Sequence, residues 1–276
     1  MSIFVIILKQ EEVNRYLRPY LVITNFDEYA RLPIHSYALI RYAIYRICFK
    51  IWTQIMQEES RWLGYFDLTA GPGYSEVIQE ELPLGKQVGG SPIIAINTEP
   101  PFDFFYFVEK EPGYYLALEK RLKKLLPREL YRIERSDVNK IIKEILKIKK
   151  GPCLVCVDPF RPTDIKPLAL DNILKNDDCD LIGVWPPPES QRKLTRRLSH
   201  NVLLPFHGHS VQLAALARKI HENVAKFYER TVISFYIPQA PYYVMFALKD
   251  NKIADRTHNK FESLSLRNLI KVKKYD

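Results

Sequence analysis

The stretch YFDLTAGPGY, residues Tyr65–Tyr74, joins an apolar, aromatic run to a turn of small residues. The run ends at Asp67, and the turn contains Gly71 and Gly73. In a nucleotide-binding βα unit, a helix begins almost at once after such a turn. Here residues 74–90 come first, and only then does the helix-like segment GSPIIAI begin. The sequence therefore predicts a strand, a glycine turn and a helix that starts late, after an inserted loop.

The alternation of strand and helix patterns continues downstream of this turn. The late helix is predicted to have Ser91 as its N-cap and Pro92 as its first helical residue. Downstream, the predicted strands are FDFFYFVEK, ELYRIERSD, PCLVCVD and CDLIGVW. The predicted helices are GYYLALEKRLKKLLP, VNKIIKEILKIKKG and SVQLAALARKIHENVAKFYER, and they alternate with all of these strands except the last two, which follow each other. This order predicts an α/β fold with a mostly parallel twisted sheet and helices on both faces. The final runs TVISFYIP and YYVMFALKD predict an antiparallel pair at the sheet edge.

Upstream of the turn, the region from His35 to Glu59 has a helical period. Isoleucines recur every three or four residues, which predicts a helix with one core-facing side: Ile40, Ile44, Ile47, Ile51 and Ile55. The first residues, SIFVIIL, predict a short strand. We therefore divide the chain into an N-terminal extension over 1–34, one α/β domain over 35–250 and a basic C-terminal tail over 251–276.

Composition restricts the partners and the compartment. The formal charge of +9 favours a polyanionic partner, or else reflects a solvated surface with a small cationic excess. Of the four cysteines, Cys153 and Cys156 lie in a strand pattern, and no second pair stands at zinc spacing. We therefore predict no metal, and reduced thiols in the core of a cytoplasmic protein. The apolar N-terminal run is too short to predict a signal peptide or a membrane span.

Acidic residues end four successive predicted strands: Asp67, Glu109, Asp137 and Asp158. In an open parallel sheet, ligands bind beyond the carboxyl ends of the strands. A carboxylate at Glu109 can accept from both hydroxyls of a ribose, and Asp137 can accept from an exocyclic adenine amine. The alternative for these two residues is helix capping or simple solvation.

The acidic strand ends also indicate which cofactor fits. They disfavour a diphosphate, and the chain lacks the lysine of a phosphate-binding loop. S-adenosylmethionine carries a sulfonium, a ribose and no phosphate, so it suits this edge better than a dinucleotide or ATP. The predicted cofactor-binding residues are Asp67, Thr69, Ala70, Gly71, Gly73, Glu109 and Asp137.

The tripeptide Asp158-Pro159-Phe160 is the predicted catalytic group. The Asp158 carboxylate and the Pro159 carbonyl can both accept from a planar amine, and Phe160 can stack on a flipped base. Enzymes that methylate base amines usually have D-P-P-[YF], so the match is partial. The alternative is a tight turn or cis-proline followed by a core phenylalanine.

Several motifs together resemble the three-Cys-motif partner family. The similar segments are YFDLTAGPGY…GGSPIIAI, FYFVEKEPGYYLALEKRL, VCVDPF and PYYVMFALKD, within Ser36 to Lys249. The resemblance implies a Rossmann-like S-adenosylmethionine-dependent methyltransferase fold, an inserted loop after the glycine turn and a cysteine-rich partner protein. Two positions depart from the family pattern: Thr69 stands in place of phenylalanine, and Arg161 in place of the glycine after D-P-F.

Basic stretches add a nucleic-acid target to this prediction. The predicted contacts are Arg161, Arg192, Lys193, Arg196 and Arg197, with Trp185 as a stacking platform; a solvated charged surface is the alternative. The leading hypothesis is an S-adenosylmethionine-dependent methyltransferase that modifies a base amine in nucleic acid. Two alternatives stay open: a non-catalytic methyltransferase-fold partner acting in a complex, and a metal-dependent nuclease using Asp67, Glu109 and Asp158.

Overall fold

The computed structural model describes residues 2–5, 27–35, 37–78, 87–159, 164–184, 222–237 and 242–266. By its internal contacts, the chain separates into two units. The first unit is Leu8–Cys156, and the second combines Met1–Ile7 with Val157–Asp276.

The first unit contains four parallel strands joined by helices. Its elements in chain order are β2 (Leu32–Ile34), α1 (Tyr37–Glu59), β3 (Gly64–Asp67), β4 (Tyr74–Val77), β5 (Gln87–Gly89), α2 (Ser91–Ile96), β6 (Phe104–Val108), α3 (Pro112–Leu125), β7 (Tyr131–Glu134), α4 (Val138–Ile148) and β8 (Cys153–Val157). A 3-10 turn, Arg128–Leu130, precedes β7. Strands β8, β3, β6 and β7 lie side by side in that order. Strand β3 pairs in parallel with β8 and with β6, and β6 pairs in parallel with β7.

Aromatic residues form the core of this unit. The central strand β3 is buried along its whole length, as expected for a strand covered on both faces. Tyr65 of β3 lies within 5.3 Å of Phe102, centroid to centroid, and Phe102 in turn stacks on Trp52 of α1 at 5.7 Å. The isoleucine face predicted for α1 is confirmed, since all five isoleucines are buried. The helix begins at Tyr37 rather than His35.

The insertion after the glycine turn contributes a small sheet. Strands β4 and β5 pair antiparallel, and β2 adds to β4 in parallel. The hydroxyl groups of Tyr42 in α1 and Ser75 in β4 are 2.8 Å apart and hydrogen-bonded. The segment 74–90, which was predicted as an inserted loop, thus begins with strand β4 and contains strand β5 near its end. Residues 79–86, between these strands, lie outside the described part of the chain.

Helix α2 restarts the βα unit as predicted, but Ser91 is not its N-cap. Gly90 occupies that position, without a side-chain capping bond, and Ser91 is the first helical residue. The Gly90 N–H donates to the Gly73 carbonyl at 2.8 Å, and a Cβ at Gly90 would lie 3.2 Å from that oxygen. The two backbones approach closely here, so a side chain at this position would be tightly packed against the Gly73 carbonyl.

The second unit contains the antiparallel pair predicted near the C-terminus. Its described elements are β1 (Ser2–Val5), α5 (Pro167–Leu174), β9 (Cys179–Val184), a helical stretch over 222–228, β10 (Thr231–Ile237), β11 (Tyr242–Leu248) and α6 (Asn251–Leu266). Strand β11 pairs antiparallel with both β9 and β10, and β1 pairs in parallel with β10. Helix α6 occupies part of the segment predicted as a tail, and its Phe261 ring lies 4.6 Å from that of Phe235.

These observations confirm the predicted fold class. Parallel strands joined by helices, together with an antiparallel pair, form the predicted α/β fold with a mostly parallel sheet. All four cysteines are buried free thiols. Within the described residues, no group of three or more His, Cys, Asp or Glu side chains could hold a metal ion. No helix in the described ranges combines the length and the apolar character needed to cross a membrane.

Candidate functional site

Asp67, at the carboxyl end of β3, is a buried hydrogen-bond acceptor. It has no exposed surface, and its register partners are Phe107 in β6 and Cys156 in β8. Its carboxylate accepts from the Tyr65 hydroxyl at 2.9 Å and from the Thr69 N–H at 3.3 Å. Burial raises the pKa of the Tyr65 phenol well above its usual value, and the neighbouring Asp67 carboxylate adds to the shift. The Tyr65 hydroxyl therefore stays protonated and keeps donating to Asp67, which ties the start of the glycine turn to the strand.

The glycine turn follows with a backbone that needs glycine at two positions. The Ala70 N–H donates to the Val108 carbonyl at 3.0 Å, which joins the turn to the end of β6. Gly71 and Gly73 then adopt left-handed conformations, with φ of +62° and +87°. A Cβ at Gly73 would lie 3.0 Å from Leu118 Cδ1, whereas a Cβ at Gly71 would meet nothing within 4 Å. The turn therefore packs closely at Gly73 and has open space beside Gly71.

Glu109, at the end of β6, is hydrogen-bonded to this turn. One carboxylate oxygen accepts from the Gly71 N–H at 2.7 Å, and the other accepts from the Glu111 N–H at 2.8 Å. The residue is 7% exposed. Burial raises the pKa of the Glu109 carboxyl above its usual value, although the N–H donors of Glu111 and Gly71 act in the opposite direction. The Lys110 N–H acts in the same direction, and because an ionised carboxylate has about four acceptor sites, part of its acceptor capacity remains for a ligand.

The residues present fit a ribose-containing cofactor. The open space lies beside Gly71, and the Gly71 N–H is bonded to the Glu109 carboxylate. A ribose placed there would have a carboxylate with spare acceptor sites and a backbone without a side chain to obstruct it. Of the predicted cofactor residues, the structure thus brings together Asp67, Thr69, Ala70, Gly71, Gly73 and Glu109.

Asp137 caps a helix at the end of the next strand. It is the N-cap of α4, and its Oδ1 accepts from the Asn139 backbone N–H at 2.9 Å and from the Asn139 side-chain amide at 2.7 Å. This is the capping alternative raised from the sequence. The predicted contact of Asp137 with an adenine amine stays a prediction.

Arg121, which was not predicted from the sequence, is also part of this site. The residue is 2% exposed, and its guanidinium donates to the Pro72 carbonyl at 2.6 Å, inside the glycine turn. It also donates to both carboxylate oxygens of Asp27, at 2.7 and 2.5 Å, and to the Ala30 carbonyl at 2.8 Å. Its carbon Cζ lies 4.6 Å from the centroid of the Tyr74 ring. One buried cation therefore fastens the segment around residues 27–30 to the turn.

A signal for this role is present in the sequence of α3. The buried side chains of the helix are Ala117, Leu118, Arg121 and Leu122. They recur at the spacing of one helix face, so Arg121 stands where an apolar residue is expected. The surrounding lysines made this pattern easy to overlook, because a helix rich in lysine is normally expected to be exposed to solvent.

The predicted catalytic tripeptide is only partly described. Asp158, which is half-buried, and Pro159, which is buried, directly follow β8. Phe160 and the predicted nucleic-acid contacts lie outside the described residues: Arg161, Trp185, Arg192, Lys193, Arg196 and Arg197.

No protein-family model matches the sequence, and no curated protein matches it either. Similar solved structures include a small RNA methyltransferase, HEN1, which is 12% identical with a TM-score of 0.45 over 75% of this chain and 26% of that one. Protein LPL1258 from Legionella pneumophila is 19% identical with a TM-score of 0.42 over 56% of this chain and 71% of that one. An rRNA methylase from Streptococcus thermophilus is 9% identical with a TM-score of 0.39 over 76% of this chain and 95% of that one.

Proposed function

We propose that this protein is an S-adenosylmethionine-dependent methyltransferase. The observation that carries the proposal is the bond between the Glu109 carboxylate and the Gly71 N–H, in a left-handed glycine turn with open space beside it. A ribose hydroxyl pair and a close backbone approach are what such an arrangement recognises at the end of parallel strands. The acidic character of the edge supports a cofactor without phosphates.

Each residue of the turn has a separate task in this proposal. Glu109 accepts from the ribose hydroxyls, and Gly71 allows the ligand to approach the backbone. Asp67 is occupied by Tyr65 and Thr69, so it positions the turn. Asp137 would accept from the adenine amine through the oxygen that does not cap α4. The cofactor, when bound, supplies an electrophilic methyl group.

The proposed substrate is a base amine in nucleic acid. The Asp158 carboxylate and the Pro159 carbonyl accept from the amine N–H groups and hold the nitrogen in line for transfer, while Phe160 stacks on the base. Arg161, Arg192, Lys193, Arg196 and Arg197 would contact phosphates. The chain's charge of +9 supports a polyanionic substrate. A cysteine-rich partner protein, implied by the family resemblance, belongs to the same proposal.

The proposal is tested first by cofactor affinity. Calorimetric titration with S-adenosylhomocysteine should show micromolar binding, and Glu109→Ala should weaken it about ten-fold or more, because hydrogen bonds to a charged group contribute roughly 1.5–3 kcal/mol each. Glu144→Ala, at an exposed position on α4, is the matched control and should bind like the wild type. If the wild-type protein does not bind the cofactor, the non-catalytic partner becomes the better hypothesis.

The pH dependence of binding gives a second test of Glu109. Because the pKa of Glu109 is raised, its carboxyl takes up a proton at a higher pH than an ordinary glutamate does. The affinity for S-adenosylhomocysteine should therefore begin to fall on acidification at a pH above the usual glutamate range, since a protonated oxygen loses acceptor sites.

Glu109 should make the stability of the free protein change with pH in the direction opposite to the cofactor affinity. A carboxyl with a raised pKa binds more protons in the folded state than in the unfolded state. Its contribution to stability therefore decreases as pH rises from the usual glutamate pKa to the raised pKa of the folded state. Glu109→Gln should remove both effects. Melting temperatures and titrations over one pH series measure them together. A binding profile that Glu109→Gln leaves unchanged contradicts the assignment of this residue to the ribose.

A further inference from the structure

Two lysines lie against the ring of Tyr29. The Lys120 Nζ is 4.9 Å and the Lys124 Nζ is 5.1 Å from the ring centroid, which is within the range of cation–π contacts. The two lysines are one turn apart on α3, and both are exposed. Two ammonium groups and one aromatic ring therefore form a single cluster on this helix, the Tyr29 cluster.

The charge of the cluster is not balanced within the described part of the chain. Lys123, between the two lysines, pairs with Glu119 at 3.3 Å, but neither Lys120 nor Lys124 has a described carboxylate within ion-pair distance. Like charges four residues apart on a helix repel each other. An anion bound between the two ammonium groups would relieve that repulsion.

Arg121 holds the cluster in place and joins it to the glycine turn. Its guanidinium donates to the backbone carbonyls of Tyr29, at 3.3 Å, and Ala30, at 2.8 Å. The segment that carries the Tyr29 ring is thus held by a buried side chain. The same guanidinium donates to the Pro72 carbonyl between Gly71 and Gly73. The Tyr29 cluster is therefore separated from the candidate cofactor turn by one side chain.

The net charge of the protein is concentrated in the same part of the chain. Residues 110–150 contain 13 lysines and arginines against six aspartates and glutamates, which is +7 of the total charge of +9. The Tyr29 cluster thus lies in the segment that carries most of the net positive charge.

We propose that Lys120 and Lys124 bind backbone phosphates of a nucleic-acid strand beside the ring of Tyr29, and that this cluster holds the strand next to the cofactor turn. This inference rests on the proposed function, because methyl transfer is the reaction that would take place on the bound strand. Ammonium groups bind phosphate oxygens. Positive charge combined with aromatic side chains binds single strands without sequence preference.

The exposed side chains of α3 favour nucleic acid over a lipid surface. A helix that lies in a membrane interface buries a broad apolar face. On α3, which the structure describes completely, the exposed large apolar residues are Leu116 and Leu125. They are nine positions apart and so point to opposite sides of the helix. Only Leu116 shares a face with Lys120 and Lys124.

The test compares two double substitutions with the same loss of charge. Lys120→Gln/Lys124→Gln removes the cluster, and Lys143→Gln/Lys147→Gln removes two exposed lysines, also four residues apart, from α4. The affinity of the full chain for labelled single-stranded RNA and DNA is measured by fluorescence anisotropy over a series of salt concentrations. The cluster variant should bind about ten-fold more weakly at about 100 mM salt, and its salt slope should fall by about 1.4, roughly 0.7 for each lost phosphate contact. The α4 variant should stay within about two-fold of the wild type.

Three outcomes would overturn the inference. The first is an equal loss in both double variants, which would assign binding to overall charge. The second is the absence of oligonucleotide binding by the wild type. The third is an unchanged affinity for oligonucleotides in the cluster variant together with lost binding to phosphatidylserine vesicles, which would assign the cluster to a lipid surface. Tyr29→Leu should weaken oligonucleotide binding with an unchanged salt slope, because it removes the ring and no charge.

Titration of the same variants with S-adenosylhomocysteine separates this inference from the proposed function. The cluster variant should keep wild-type cofactor affinity. Cluster-dependent oligonucleotide binding without any cofactor binding would refute the methyltransferase and leave the interface in place. Cofactor binding with oligonucleotide binding that ignores the cluster would refute the interface alone.

Discussion

Replacing Arg121 with methionine is expected to lower the free energy of unfolding by about 3 kcal/mol, the lower end of the effect of removing one partner of a buried ion pair, because the Asp27 side chain that is left behind is 20% exposed. Arg121 is 2% exposed, and the loss of its guanidinium leaves the Asp27 carboxylate and the carbonyls of Ala30 and Pro72 without this donor. Methionine keeps most of the apolar volume of the arginine stem, so the effect reports the lost polar contacts. Denaturant unfolding followed by tryptophan fluorescence measures it.

Lys123→Met on the same helix is the matched control. Lys123 is 59% exposed and paired with Glu119, and surface pairs of this kind contribute about 0.2–1 kcal/mol. A loss in Arg121→Met no larger than in this control would show that the buried contacts do not hold the turn.

Acid should reduce the difference between Arg121→Met and the wild type. Desolvation acts to raise the pKa of Asp27, but the hydrogen bond and charge of Arg121 outweigh it, so the pKa of this carboxyl lies below its usual value. A group with a lowered pKa contributes stability above its unfolded value, and that contribution is lost as pH falls through the folded value. The stability gap between the two proteins should therefore be full at neutral pH and shrink on acidification below the usual aspartate pKa.

Asp158→Ala is expected to abolish methyl transfer to pooled cellular RNA or DNA. In the proposed function, the Asp158 carboxylate contacts the substrate amine and not the ribose, so the affinity for S-adenosylhomocysteine should stay within a few-fold of the wild type. Phe160→Ala should reduce transfer more mildly, because a lost base stack costs about 1–3 kcal/mol. Transfer of radiolabelled methyl groups and calorimetric titration measure the two quantities separately.

The same substitution distinguishes the alternatives for this chain. A metal-dependent nuclease would lose Mg²⁺-dependent cleavage in Asp158→Ala, and its wild type would transfer no methyl groups. A non-catalytic partner would show neither activity and would respond only in stability or partner binding. Asp255→Ala, at an exposed position on α6, is the control for general effects, and melting temperatures are compared first. Equal methyl transfer by the wild type and Asp158→Ala would refute the assignment of the D-P-F tripeptide.

The sequence alone determined most elements of the parallel sheet and their type, because those depend on local patterns, but it did not predict β2, β4, β5, α5 or α6. A continuous apolar run before Asp67 predicted β3, and the isoleucine period predicted α1. The Gly71-Pro72-Gly73 turn was recognisable because few other residues adopt left-handed backbone conformations. The order of strands and helices was sufficient to predict the fold class, since parallel strands need helical crossovers.

Only the tertiary structure decided what the site residues contact, because those contacts join positions far apart in the chain. Glu109 bonds to Gly71, and Arg121 bonds to Asp27 and Pro72, across separations that no local pattern encodes. Strand β2 pairs with β4 for the same reason, since a register between distant segments depends on which surfaces are buried together. The buried position of Arg121 could be derived from its helix face, but its partners could not. A cation on an apolar face indicates that a counter-charge is near, and the folded chain decides which carboxylate supplies it.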